Sequence, residues 1–219
     1  MSIMSDVPPV TRALVIANVV MFGLQQLFYL PMLLNLALWP IGPAQLMPLG
    51  HGASVLVQFE PWQLITYAFL HGSVGHVAFN MLGLWSVGTP IERLLGARAY
   101  LFYYFVCVLG AAVAQLLIVA YVSHDFVPTL GASGGVFGVM LAFGMIYPHQ
   151  KLMLAFIPVP ISAWLFVIIY ATIELFSGVL KIQPGVAHFA HLGGMLAGIV
   201  LILYWRGQLP IKPKRVLIR

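Results

Sequence analysis

Apolar residues occupy six stretches of this chain, separated by short polar or proline-rich segments, and each stretch is long enough to predict a helix. The first runs from Ala13 to Leu30 and is expected to stop at Pro31, with Asn18, Gln25 and Gln26 facing protein rather than lipid. From Pro31 to Pro61 the chain stays apolar but is broken by Pro31, Pro40, Pro43, Pro48, Gly42, Gly50 and Gly52. That is too broken for a straight span and too apolar for a solvated loop, so an interfacial loop with short helices is expected, with Trp39 and Trp62 at headgroup depth. The second stretch, Ser73 to Ile91, opens on His71, His76 and Asn80 and leads to Glu92, Arg93 and Arg98. The third is Tyr100 to Val122. The fourth, Ser133 to Tyr147, closes at Pro148; at roughly 1.5 Å per residue it makes a helix about 22 Å long, short of the roughly 30 Å hydrocarbon core. A helix there begins inside the membrane. The fifth, Pro160 to Phe176, follows the Pro158-Val159-Pro160 break, and the sixth is Val186 to Trp205.

Composition agrees with six spans. Hydrophobic residues make up 62% of the 219 positions and charged residues 7%, with a mean hydropathy of +1.01; soluble domains carry about 25% charged residues. The expected fold is therefore an all-α, polytopic bundle of six transmembrane helices. It divides into a cytoplasmic N-terminus (1–12), one membrane domain (13–206) and a basic cytoplasmic tail (207–219). With six spans, Arg12, Arg93, Arg98, Lys151, Arg206, Lys212, Lys214, Arg215 and Arg219 share one side and only Lys181 lies on the other. By the positive-inside rule both termini are cytoplasmic, and the starts of the Ser133 and His191 helices open to the outer face. The net charge of +5 is thereby explained by topology, and no nucleic-acid-binding motif accompanies it. The N-terminus lacks the basic region and cleavage pattern of a removed signal peptide. The lone Cys107, in mid-span, is expected to serve helix packing. No repeat is visible.

Three groups of residues carry chemistry. Gly131-Ala132-Ser133-Gly134 brings one serine to a helix N-terminus, whose free N–H groups bind anions, and Gly138 lies one turn beyond Gly134. The same glycines also suit close packing of transmembrane helices. On the sixth span, His191, Gly194 and Gly198 fall on one face, so an imidazole shares a seam of small residues. Two glycine-lined helices can approach closely enough for the ring to reach the Ser133 hydroxyl, the requirement for general-base activation. Asp125 and Glu174 are the candidates for a third member, but neither falls in these motifs, and the expectation is a Ser-His dyad. His76 and Asn80, one turn apart on the second span, are uncharged donors suited to an oxyanion hole, or to bonds that tie spans together. His71, at or before the start of that helix, is expected to order a loop at the interface. His188 and His191 have a spacing that can ligate zinc, but spacing suggests no third ligand, so no metal and no cofactor is expected, and His188 is read as a hydrated or supporting residue.

Taken together, Gly131-Ala132-Ser133-Gly134, Ala190-His191-Leu192-Gly193-Gly194 with Gly198, and His76-x-x-x-Asn80 resemble the rhomboid family of intramembrane serine proteases, over about Ala13 to Trp205. The resemblance implies Ser133 as nucleophile, His191 as general base, and an oxyanion hole from His76, Asn80 and the Ser133 backbone N–H. It also implies a membrane-immersed first loop and a fifth span that tilts or gates substrate entry. Three positions depart from the family pattern: Gln63 stands where many members have Arg, Leu94 where an arginine often stands two places after the glutamate, and Phe137 where a Tyr often packs on the histidine. Phe137, one turn from Ser133, can still stack on an imidazole.

The expected function is an integral-membrane serine endopeptidase that cleaves in or beside the transmembrane segments of other membrane proteins, in a bacterial inner membrane. Its expected partners are those substrates and the lipid bilayer, without nucleic acid. Two alternatives stand beside it. One is an inactive rhomboid-like binder of transmembrane helices, against which both Ser133 and His191 are present. The other is a transporter relaying protons through buried histidines, against which neither an inverted repeat nor an intramembrane carboxylate pair is visible.

Overall fold

The computed structural model describes residues 6–50, 53–154, 157–182 and 187–213. All six apolar stretches are helical. Helices α1 (Pro9–Leu27) and α2 (Tyr29–Leu36) come first, then a hairpin of β1 (Gln45–Gly50) and β2 (Ala53–Val57), and the short α3 (Gln63–Thr66). Helix α4 (Val74–Gly83) passes through a π-turn at Leu84–Gly88 into α5 (Thr89–Leu95). Helix α6 (Ala97–Ile118) extends by a π-turn to Ser123, and α7 (Ser133–Ile146) follows. A second hairpin, β3 (Lys151–Leu154) with β4 (Ile157–Ser162), precedes α8 (Ala163–Val179) and α9 (His188–Trp205). Among the described residues, three helical segments are long and apolar enough to cross a membrane: Pro9–Leu27, Ala97–Ser123 and His188–Trp205. Helices α7 and α8 are apolar but shorter.

Several boundaries differ from expectation for local reasons. Pro31 does not end the first helix. The break falls at Phe28, whose φ of −124° and ψ of 43° are not helical, and Pro31 then sits in the first turn of α2, where its missing N–H is not needed. The first loop is not helical throughout: Val55, Leu56 and Val57 pair antiparallel with Met47, Leu46 and Gln45. The fifth helix starts at Ala163, because the segment holding Pro158 and Pro160 is extended and pairs with β3. Among the Gln and Asn residues of α1, Asn18 and Gln25 are buried as expected, whereas Gln26 is exposed and donates back to the Phe22 carbonyl of its own helix. Val186 lies outside the described residues.

Polar side chains tie the frame together. No side chain of α1 caps its own N-terminus; instead the buried Glu92 accepts from the Val10 and Thr11 N–H groups at 2.9 and 2.6 Å. Gln63 accepts from the Trp39 and Glu60 N–H groups and so orders the first loop in the place where an arginine was the family expectation. Trp39 is 1% exposed, its indole N–H donating to the Leu33 and Leu34 carbonyls, whereas Trp62 is 51% exposed.

Helix α7 occupies the middle. Ten of its 14 residues are buried, and it packs against α6, α8, α9, α4 and the π-turn of the second span. Glycine permits that centrality: a Cβ at Gly134 would collide with Ala111, one at Gly138 with Cys107, and one at Gly194 with the Gly134 carbonyl. The seam expected between α7 and α9 is thus made by Gly134, Gly138 and Gly194, whereas Gly198 abuts Tyr103 and Cys107 of α6. Tyr103 donates to the Gly138 carbonyl at 2.8 Å, and Cys107 fills the remaining gap as a packing residue.

Candidate active site

The centre of the site is one contact between two helices. Ser133 is the first residue of α7 and is half-buried, and its Oγ lies 2.7 Å from His191 Nε2 on α9. The turn that delivers the serine depends on Gly131, whose φ of +131° disfavours a side chain. A Cβ there would also stand 2.9 Å from Cε1 and Nε2 of His76. The Gly131 N–H is anchored on the Tyr67 carbonyl at 3.0 Å, and Tyr67 donates in turn to the Val108 carbonyl at 2.8 Å. Since the first N–H groups of any α-helix lack an intrahelical acceptor, the start of α7 presents donors beside the serine hydroxyl.

His191 is held on three sides. Phe137 stacks on its ring with centroids 4.3 Å apart and planes 3° from parallel, so the phenyl ring packs where a tyrosine was the family expectation. Nε2 faces Ser133. Nδ1 lies 2.8 Å from Glu174 Oε2 on α8, which corrects the expectation that no carboxylate is well placed as a third member. Spacing could not reveal this, because the meeting depends on how α8 and α9 pack. A usable signal was the cost of a lone carboxylate inside an apolar run.

His188 belongs to the same cluster. It is buried rather than hydrated, with Nδ1 2.7 Å from Glu174 Oε2 and Nε2 3.0 Å from the Ile182 carbonyl. Glu174, His188 and His191 present donor atoms within 4.8 Å of one another, so these three side chains can hold a metal ion, Glu174 supplying the third donor that spacing did not suggest.

In the segment before and within α4, the Ser73 hydroxyl caps the helix by accepting from the His76 N–H at 3.1 Å. The Gly72 N–H points at His76 Nδ1 at 3.3 Å, so Nδ1 accepts and the ring proton sits on Nε2, the atom nearest the Gly131 turn. Asn80 is buried, and its amide donates to the His76 carbonyl at 3.1 Å, which uses one of its two N–H donors within its own helix. His71, expected at the interface, is 1% exposed; its backbone N–H and carbonyl make reciprocal 3.0 Å bonds with the Gln25 amide, and its ring meets His76 edge-on at 5.0 Å. Burial, and then the neighbouring His76, hold the His71 imidazole down to about 4, so it is neutral near pH 7.

Chemically, a serine hydroxyl against an imidazole nitrogen, with unpaired helix N–H groups and an imidazole N–H close by, has the parts required for acyl transfer. Comparison with known proteins points the same way. The Rhomboid domain family profile matches residues 58–208. The chain is 34% identical over 139 residues to Rhomboid protein 1, mitochondrial, of Saccharomyces cerevisiae, covering 63% of this chain and 40% of that protein. It is 32% identical over 146 residues to Rhomboid protease GluP of Bacillus subtilis, covering 66% and 26%, and 28% identical over 109 residues to Rhomboid protease GlpG of an Enterobacter species, covering 49% and 32%. The chain therefore spans between about a quarter and two fifths of the length of these relatives.

Proposed function

Since the chain belongs to the rhomboid family, we propose that it is an intramembrane serine endopeptidase that cuts peptide bonds in or next to transmembrane segments of other membrane proteins. The observation that carries this reading is the 2.7 Å contact between Ser133 Oγ and His191 Nε2 at the start of a short, central helix. In the proposed reaction Ser133 Oγ attacks the substrate carbonyl carbon while its proton passes to His191 Nε2. The negative oxygen that forms is met by the Ser133 backbone N–H and by N–H groups of His76 and Asn80. The leaving amine takes the proton from His191, and a water then hydrolyses the acyl-enzyme by the same route in reverse.

The membrane arrangement belongs to this proposal. Six spans over residues 13–206, with the short α7 starting below the outer surface, put irregular backbone at Gly131 where only a polar cavity tolerates it. The distribution of Lys and Arg supports cytoplasmic termini and a site open to the outer face. The proposed address is a bacterial cell membrane; fractionation is its check, because a relative named as mitochondrial stands beside the bacterial ones. The partners are helical membrane proteins that unwind locally to expose a carbonyl.

The test is cleavage of a model transmembrane substrate by the purified protein in liposomes, with a fluorophosphonate probe for the nucleophile. Ser133→Ala and His191→Ala are expected to abolish cleavage while leaving the protein folded, with the double variant no worse than either single one. The probe should label wild type and not Ser133→Ala. Full cleavage by either single variant refutes the reading.

A further inference from the structure

We infer that Glu174 is a positioning residue for the general base, so that this chain works through a Ser133–His191–Glu174 relay rather than a dyad; the inference rests on the protease reading above. For His191 Nε2 to take the serine proton, the neutral ring must carry its own proton on Nδ1. A nearby acceptor selects that tautomer, and Glu174 Oε2 stands 2.8 Å from Nδ1. Phe137 fixes the plane of the ring but, as a hydrocarbon, has no say over which nitrogen is protonated. Only the carboxylate does both.

A carboxylate in an apolar helix needs compensation, and His188 supplies it. Both of its ring nitrogens face acceptors, Nδ1 the Glu174 carboxylate at 2.7 Å and Nε2 the Ile182 carbonyl at 3.0 Å. With His188 and His191 both within hydrogen-bond distance of Oε2, the carboxylate is partnered inside the helix bundle, which offsets the cost of placing it there. The same carboxylate oxygen still accepts from His191. During attack the Oγ–H bond breaks as the Oγ–C bond forms, the proton moves to Nε2, and His191 becomes positive beside the carboxylate. The Nδ1 proton stays where it is, Glu174 gains none, and the Nε2 proton leaves with the amine.

A purely structural role, tying α8 to α9, predicts something different, and removing the charge while keeping the shape separates the two. Glu174→Gln retains an oxygen acceptor at nearly constant volume. For a relay it is expected to lower kcat by about 100-fold or more with KM within about threefold, as loss of the orienting carboxylate does in serine hydrolases. Wild-type kcat in folded Glu174→Gln overturns the inference, and does so without touching the protease reading if Ser133→Ala is still dead. Cleavage by Ser133→Ala would instead remove the reading beneath it. If Glu174→Gln does not fold, the wild-type protein decides: with imidazole nitrogens labelled, and the His191 signals assigned from His191→Asn, the proton must be found on Nδ1 with Nε2 bare. A proton on Nε2 at neutral pH overturns the relay.

Discussion

Gly194→Ala should silence the protein by moving the base rather than by removing it. A methyl group at Gly194 would overlap the Gly134 carbonyl oxygen and stand 2.8 Å from its carbon and 3.2 Å from the Gly134 Cα. Ordinary contact begins near 3.4 Å, so the shortfall at the carbon is about 0.6 Å and is greater at the oxygen. The obstacle is backbone on both sides, with no flexible side chain to yield, and α9 has to withdraw from α7 by about 1 Å. Ser133 is adjacent to Gly134 in α7, and His191 lies one turn before Gly194 in α9. Adding about 1 Å to their 2.7 Å contact takes it past hydrogen-bond reach. A misplacement of that size costs about 100-fold, or about 2.7 kcal/mol of transition-state stabilisation. Initial rates on a fluorogenic transmembrane substrate in liposomes should show the loss in kcat, with KM little changed. Gly23→Ala in α1 is the control, since nothing lies within 4 Å of the added methyl group. Gly194→Ala at the wild-type rate, or Gly23→Ala equally impaired, would refute the reasoning.

Two further outcomes are expected. Asn80→Ala should lower kcat by about 10- to 1,000-fold with KM nearly constant, measured on the same substrate, if its second N–H serves the oxyanion; raised KM at constant kcat would assign it to substrate binding or packing. Stability should fall in acid through His71: its buried ring is held near 4 against an unfolded value of about 6.5, so its contribution is complete above about pH 6.5 and is lost as pH falls toward 4. Thermal unfolding from pH 7.5 to 4.5 should show that limb flattened in His71→Phe, and an unchanged limb would exclude His71 as its source.

How much was legible followed from the range of each interaction. Ser133 and His191 announced themselves because glycines in i, i+3 and i+4 relation mark where two helices can touch, and a polar side chain on such a seam has one neighbour to meet. Phe137 followed by the same helical arithmetic. Glu174 did not, for its partner sits on another helix across a loop, and only tertiary packing decides which face of α8 turns inward. The burial of Trp39 was hidden for a related reason: its indole finds two carbonyls of the preceding helix and is buried against them, a contact that no local pattern encodes. The hairpins escaped because proline and glycine were read as breaks alone, whereas the alternating β-branched residues of one strand in each, Val55 and Val57 in β2 and Ile157, Val159 and Ile161 in β4, favour paired strands.

The cap on α1 carries a consequence for biosynthesis. Pro8 and Pro9 have no N–H to satisfy, the Arg12 N–H already reaches the Pro8 carbonyl at 3.0 Å, and the two donors left over, on Val10 and Thr11, are both taken by Glu92. These partners lie 82 and 81 residues apart in the chain, on either side of the whole first loop. The end of the first helix is therefore closed by a residue translated more than eighty positions later, so this cap cannot form until Glu92 has been made and has folded back against it.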